Sequence, residues 1–128
     1  MNSIEISENE QLALRALIAC LQLRFPGQLC DVLLYGSKAR GDSTPDSDID
    51  VLIILSEESE QIRHEILNIA SQTSLEYDVL LSPHVIGEAR FREKRDFTYY
   101  RNVARDAIQL TVSPAGLTLT PAPLILAG

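Results

Sequence analysis

The chain has 128 residues, carries 11 Lys and Arg against 18 Asp and Glu, and has a formal net charge of −7. That length fits one domain with one core, and 45% apolar residues argue against a wholly disordered chain. The negative charge disfavours any role in coating a nucleic-acid backbone, so a phosphate-bearing ligand must be held by local cations or by metal. The N-terminal residues Met1 to Glu5 lack the basic start of a secretory signal. The apolar run 12–23 is broken by Arg15 and Gln22, so no bilayer-spanning segment is expected. Cys20 and Cys30 sit in apolar surroundings and read as free, buried thiols of a cytoplasmic protein.

Ser7 and Glu10 form a capping-box pattern, and Leu12, Ala16, Ala19 and Leu23 follow at helical spacing. A helix over 8–24 is expected, stopped by Pro26 and Gly27. Residues 30–35 read as a short buried strand. Residues 36–45 hold two Gly, two Ser, Thr and Pro, and read as loop with room for one helical turn. Residues 48–55 read as a strand with Ile49, Val51, Ile53 and Leu55 on one face. Ser56 is placed to cap a third element, where Ile62, Ile66 and Ile69 have helical spacing. Residues 75–81 read as another strand, and Ser82-Pro83 as a helix start. Phe97, Tyr100, Ala104 and Ala107 suggest a further helix, and 108–112 a short last strand. Residues 113–128 carry three prolines and no charge, and read as a tail rather than a packed element. Two segments are expected: a domain over 1–112 and an apolar tail over 113–128, disordered or partner-contacting. Alternating helices and strands give an α/β or α+β class with a small sheet.

The chemistry is concentrated in Gly36-Ser37-Lys38-Ala39-Arg40-Gly41 and in Ser47-Asp48-Ile49-Asp50. Strand alternation puts Asp48 and Asp50 on one face, at the entry of an apolar strand. Two carboxylates so close repel, and a divalent cation between them relieves that repulsion; hard oxygen ligands favour Mg²⁺ or Mn²⁺. Asp78 is the candidate third carboxylate, on the expected 75–81 strand, with Glu76 as the fallback. Gly36 permits close backbone approach to a phosphate, and Lys38 and Arg40 add cations. The segment is not a P-loop, because Asp42 stands where that motif needs lysine.

Together, Gly36-Ser37, Ala39-Arg40-Gly41 and Ser47-Asp48-x-Asp50 resemble the signature of the minimal nucleotidyltransferases, small relatives of the DNA polymerase β superfamily. The resemblance spans about residues 8–112. It implies a small mixed sheet flanked by helices. It also implies a pair of Mg²⁺ ions on Asp48, Asp50 and Asp78, and ATP contacts from Gly36, Ser37, Lys38, Arg40 and Ser47. The implied reaction is attack of an acceptor hydroxyl on the α-phosphate, with pyrophosphate leaving. The family is typically paired with a small helical HEPN ribonuclease toxin. The resemblance therefore implies an antitoxin that transfers AMP to a toxin tyrosine, with no membrane or direct nucleic-acid partner. The rivals are transfer to a small molecule such as an aminoglycoside, and neutralisation by binding alone.

Overall fold

The computed structural model describes residues 6–44 and 46–121. Helix α1 spans Glu8–Arg24 and opens as its sequence dictates. The Glu10 amide donates to Ser7 Oγ at 3.1 Å, and the Ser7 amide donates back to Glu10 Oε1 at 2.8 Å. Its buried face is Ala13, Leu14, Leu17, Ile18 and Leu21; Leu12 and Leu23, expected inward, are exposed. Strand β1 (Leu29–Tyr35) leads into the single turn α2 (Ser37–Arg40), then β2 (Ile49–Leu55) and α3 (Glu60–Tyr77). Ser59, not Ser56, caps α3: its Oγ accepts from the Ile62 amide at 3.2 Å. Then follow β3 (Leu81–Gly87), α4 (Glu88–Lys94), α5 (Thr98–Asp106), β4 (Ile108–Ser113) and β5 (Gly116–Pro121).

The strands form one sheet in the order β3-β2-β1-β4-β5. Strands β2 and β3 are parallel, joined through α3, while β1–β2, β1–β4 and β4–β5 are antiparallel. The sheet is therefore mixed, as the resemblance implies. Strand β2, set between β3 and β1, is buried on both faces. Ile49, Val51, Ile53 and Leu55 pack toward the cluster that includes Leu14, Leu17 and Leu21 of α1 and Ile66 and Ala70 of α3. Leu52 and Ile54 face the opposite cluster, with Phe91 of α4 and Tyr100 and Val103 of α5. Burying each of these large side chains contributes about 1.5–3 kcal/mol, so β2 is a rigid base for whatever stands at its entry.

Further sequence expectations give way here. Residues 75–77 are the last turn of α3, not a strand. The helical repeat of Ile66, Ala70 and Thr73 carries through, and the apolar Leu75 that suggested a strand is exposed. Ser82 and Pro83 lie inside β3 instead of starting a helix. Strand β3 is at the end of the strand order, so Pro83 needs no amide on its outer side. The expected tail supplies β5, which pairs with β4 from Ser113↔Gly116 to Ile108↔Pro121; residues 122–128 lie outside the described residues. Both cysteines are free, and Cys30, expected to be buried, is exposed. Among the described residues no helix is long and apolar enough to cross a membrane.

Candidate active site

The site lies where β1 ends and β2 and β3 begin. The chain leaves β1 at Gly36, with φ 76° and ψ −155°. A Cβ built there would collide with Asp50 Oδ2. Glycine is thus required twice, once by the dihedral and once by the close approach of the carboxylate. The turn closes on itself: Arg40 N donates to Gly36 O at 3.1 Å, and the amides of Gly41 and Asp42 donate to Ser37 O at 3.0 and 3.1 Å. The following loop is pinned by Ser47, whose Oγ accepts from the Thr44 amide at 2.9 Å. Ser47 therefore shapes the turn that delivers Asp48.

Asp48 is exposed just before β2, and Asp50, second in the strand, is half-buried. Burial raises the Asp50 carboxyl above the ordinary range, and the charge of Asp48 raises it further; Arg40 acts in the opposite sense. Arg40 is exposed and shared, bonding Asp42 at 3.1 Å and Asp106 at 3.5 Å. Two mutually repelling carboxylates, one partly desolvated and neither ion-paired with a described residue at salt-bridge distance, are a donor set that suits a hard divalent cation.

Beside this pair stands an aromatic wall. Tyr35 is directly opposite Asp50 in the β1–β2 register, so the two side chains share a sheet face. Its Oη lies 2.7 Å from Tyr99 Oη on α5. Burial raises the Tyr35 hydroxyl pKa, and Tyr99 and the charge of Asp50 add to the shift. On the other flank Ser82 is opposite Asp50, which puts His84, two residues on, over the same face. Tyr100 Oη and His84 Nε2 are 3.3 Å apart, and the Tyr99 ring centroid is 5.8 Å from that of His84. Burial lowers the His84 pKa, and Arg63 and Lys94 lower it further. Sequence reasoning missed Tyr35, Tyr99 and His84 as neighbours of the aspartates. Tyr35 carried a signal, as the last strand residue before Gly36; the other two depended on where α5 and β3 would fall.

Two expected site residues stand in local settings different from those their sequence suggested. Lys38 is buried, with Nζ 2.8 Å from Glu10 Oε2, so it ties α2 to α1 instead of standing as a solvated loop charge beside a phosphate. Asp78 is not on a strand beside β2. It is the cap residue of α3, at φ 54° and ψ 50°, and is exposed. Aspartate tolerates that left-handed conformation better than most residues, which is why the helix stops there. It lines a 460 Å³ cavity with Glu10, Asp46, Ser47 and Leu80. Among the described residues, no group of three or more His, Cys, Asp or Glu is gathered as a metal site. The residue that shares a sheet position with Asp50 on β3 is Ser82.

The family model of the nucleotidyltransferase domain matches residues 14–110. Two proteins of Methanocaldococcus jannaschii, each named a putative protein adenylyltransferase, are similar to the chain. MJ0604 is 30% identical over 98 residues, 77% of this chain and 94% of the relative. MJ0141 is 49% identical over 53 residues, 41% of this chain and 54% of the relative. Among solved structures, a mutant of the toxin-antitoxin MntA-HpeT superposes with a TM-score of 0.55 at 19% identity, covering 87% of this chain and 76% of that one. A toxin-antitoxin with AMP-PNP gives 0.56 at 17% identity, covering 80% and 72%. These two likenesses concern the fold.

Proposed function

The chain belongs to the nucleotidyltransferase domain family, and from that premise we propose that it transfers AMP from ATP to a tyrosine hydroxyl of a HEPN-class toxin, and so acts as an antitoxin. The observation that carries the reading is the Asp48–Asp50 pair held at the entry of β2 against Gly36. The relatives' name, protein adenylyltransferase, supports a protein acceptor, and the toxin-antitoxin folds support the partner class.

Asp48 and Asp50 would hold Mg²⁺. Bound there, the ion would supply neutralisation of the triphosphate charge and a lower pKa for the attacking hydroxyl. The protein's own groups do the positioning. Gly36 and Ser37 form a floor on which the triphosphate can lie close to the backbone. Arg40, at the end of the same turn, is the exposed cation on α2 and adds charge stabilisation as pyrophosphate departs. The acceptor hydroxyl enters along the wall of Tyr35, Tyr99 and His84, with its phenolic proton passing toward the carboxylate pair. Asp78 has no part in this arrangement.

The test uses purified protein, Mg²⁺, and ATP labelled on the α- or the γ-phosphate, with the adjacent gene product as acceptor. Label reaching that protein from α-labelled ATP only, and lost with Asp48→Asn/Asp50→Asn, is the expected result. Transfer from γ-labelled ATP would mean phosphoryl transfer and overturn it. Label in an added aminoglycoside rather than in protein would favour small-molecule transfer. Neutralisation that survives the double substitution would favour binding alone.

A further inference from the structure

A part-exposed tyrosine of the chain itself stands near the carboxylate pair. Tyr99 stands in the first turn of α5 and is 44% exposed. Its hydroxyl is 2.7 Å from that of Tyr35, and Tyr35 is in register with Asp50 on the same face of the sheet. One residue on, Tyr100 is buried, with its hydroxyl taken up by His84. Tyr35 itself is rooted in the sheet between Leu34 and Gly36. Tyr99 is thus the phenol of this cluster that combines exposure, a place in the first turn of a helix, and a hydroxyl one tyrosine away from the carboxylates. Its ring packs edge-on against Tyr35, with centroids 6.2 Å apart, and against Tyr100, with centroids 4.9 Å apart. These contacts confine the ring to the site side of α5 without burying it.

We infer that Tyr99 is a self-modification site, at which the enzyme transfers a nucleotidyl group from a nucleoside triphosphate to its own hydroxyl when no partner occupies the acceptor wall. The inference rests on the nucleotidyl-transfer reading above. In the step, a lone pair of Tyr99 Oη attacks the α-phosphorus and a new O–P bond forms. The bond from that phosphorus to the oxygen bridging to the β-phosphate breaks, and pyrophosphate leaves with that oxygen. The phenolic proton goes to water at the exposed side of the ring. The product carries a nucleotidyl group on the wall that a partner's tyrosine must pass, so modification would compete with transfer to the partner.

The experiment incubates the purified chain alone with Mg²⁺ and α-labelled ATP, then reads intact mass and the labelled peptide. In parallel, calorimetry measures binding of α,β-methylene ATP, which cannot be cleaved at the bond that breaks. One adenylyl group on the peptide containing Tyr99, lost in Tyr99→Phe and in Asp48→Asn/Asp50→Asn, is the expected outcome. Phenylalanine keeps the ring contacts, and circular dichroism and thermal unfolding of the variant check its fold. Label that persists in folded Tyr99→Phe would overturn the site. Absence of self-label while the analogue binds and the adjacent gene product takes up label would overturn the inference and leave the proposed function standing. Absence of self-label, of partner label and of analogue binding would overturn both.

Discussion

Asp50 and Asp78 are both acids close to the β2–β3 pair, yet their surroundings differ. Asp50 is held half-buried at the entry of β2, packed on Gly36 and facing Tyr35, with its carboxyl raised by burial and by Asp48. Asp78 is solvent-exposed at the end of α3, where its backbone turns left-handed and its amide donates to Ser74 O. The first arrangement stores electrostatic repulsion at the entry of β2; the second ends a helix. A carboxylate becomes a ligand when the fold desolvates it next to a like charge, and sequence spacing alone does not decide that.

The comparison can be broken most directly at the pair itself. Asp48→Asn/Asp50→Asn should lower transfer of α-label by about a thousandfold, since several kcal/mol of charge stabilisation would depend on a metal held by the proposed pair. Thermal unfolding should show the double variant no less stable than the parent, because a repulsion has been removed. A stable variant with undiminished transfer would remove Asp48 and Asp50 from the reaction.

Lys38→Met comes next, because Lys38 links the two regions: it lies on α2 beside Gly36 and bonds Glu10, which lines the Asp78 cavity. Leaving Glu10 without its partner should cost about 3 kcal/mol in urea unfolding. Burial raises the Glu10 carboxyl, but Lys38 and Ser7 together outweigh it, so its folded pKa is below the ordinary glutamate value of 4.5. The stability this gives is present above about pH 4.5 and is lost as pH falls through the lower folded value. In Lys38→Met that acid-side decline should flatten, as measured by unfolding between pH 3 and 6.

Gly36→Ala should destabilise by about 2 kcal/mol from its dihedral, and the displaced Asp50 should lower transfer as well. Full activity in Gly36→Ala would show that the tight approach of Asp50 is not needed. The smallest effect is expected at Asp78. Asp78→Gly should raise stability by up to about 1 kcal/mol, because glycine adopts the left-handed cap without a Cβ penalty, and transfer should stay near that of the parent. A hundredfold loss in Asp78→Gly would return that residue to the metal site.

Much of this molecule was legible in its residues. The α1 boundaries followed from the Ser7–Glu10 box, and β2 from an apolar run too strongly β-branched to be surface. The spacing of Gly36, Asp48 and Asp50 carried the site, since the turn and strand that bring them together are local. Misreadings clustered where local signals were balanced. Leu75 to Leu81 is apolar enough for a strand, yet its first residues continue the α3 repeat and leave Leu75 exposed. Ser82-Pro83 is a good helix start and also tolerable in an edge strand; only the position of β3 at the end of the sheet decided between them. The prolines that suggested a tail after residue 113 did not prevent β5 from pairing, because Pro121 is its last residue.

The sequence by itself determined the acidic balance, the α/β alternation, the glycine turn and the two aspartates, because each depends on composition or on residues within a few positions of one another. Only the tertiary structure decided that Lys38 is buried against Glu10, that Asp78 is a helix cap, and that Tyr35, His84 and Tyr99 surround Asp50. Those placements join residues 15 to 64 positions apart or depend on which of two permitted local conformations the core rewards, and the free energy that settles them comes from burial across the sheet rather than from the chain nearby.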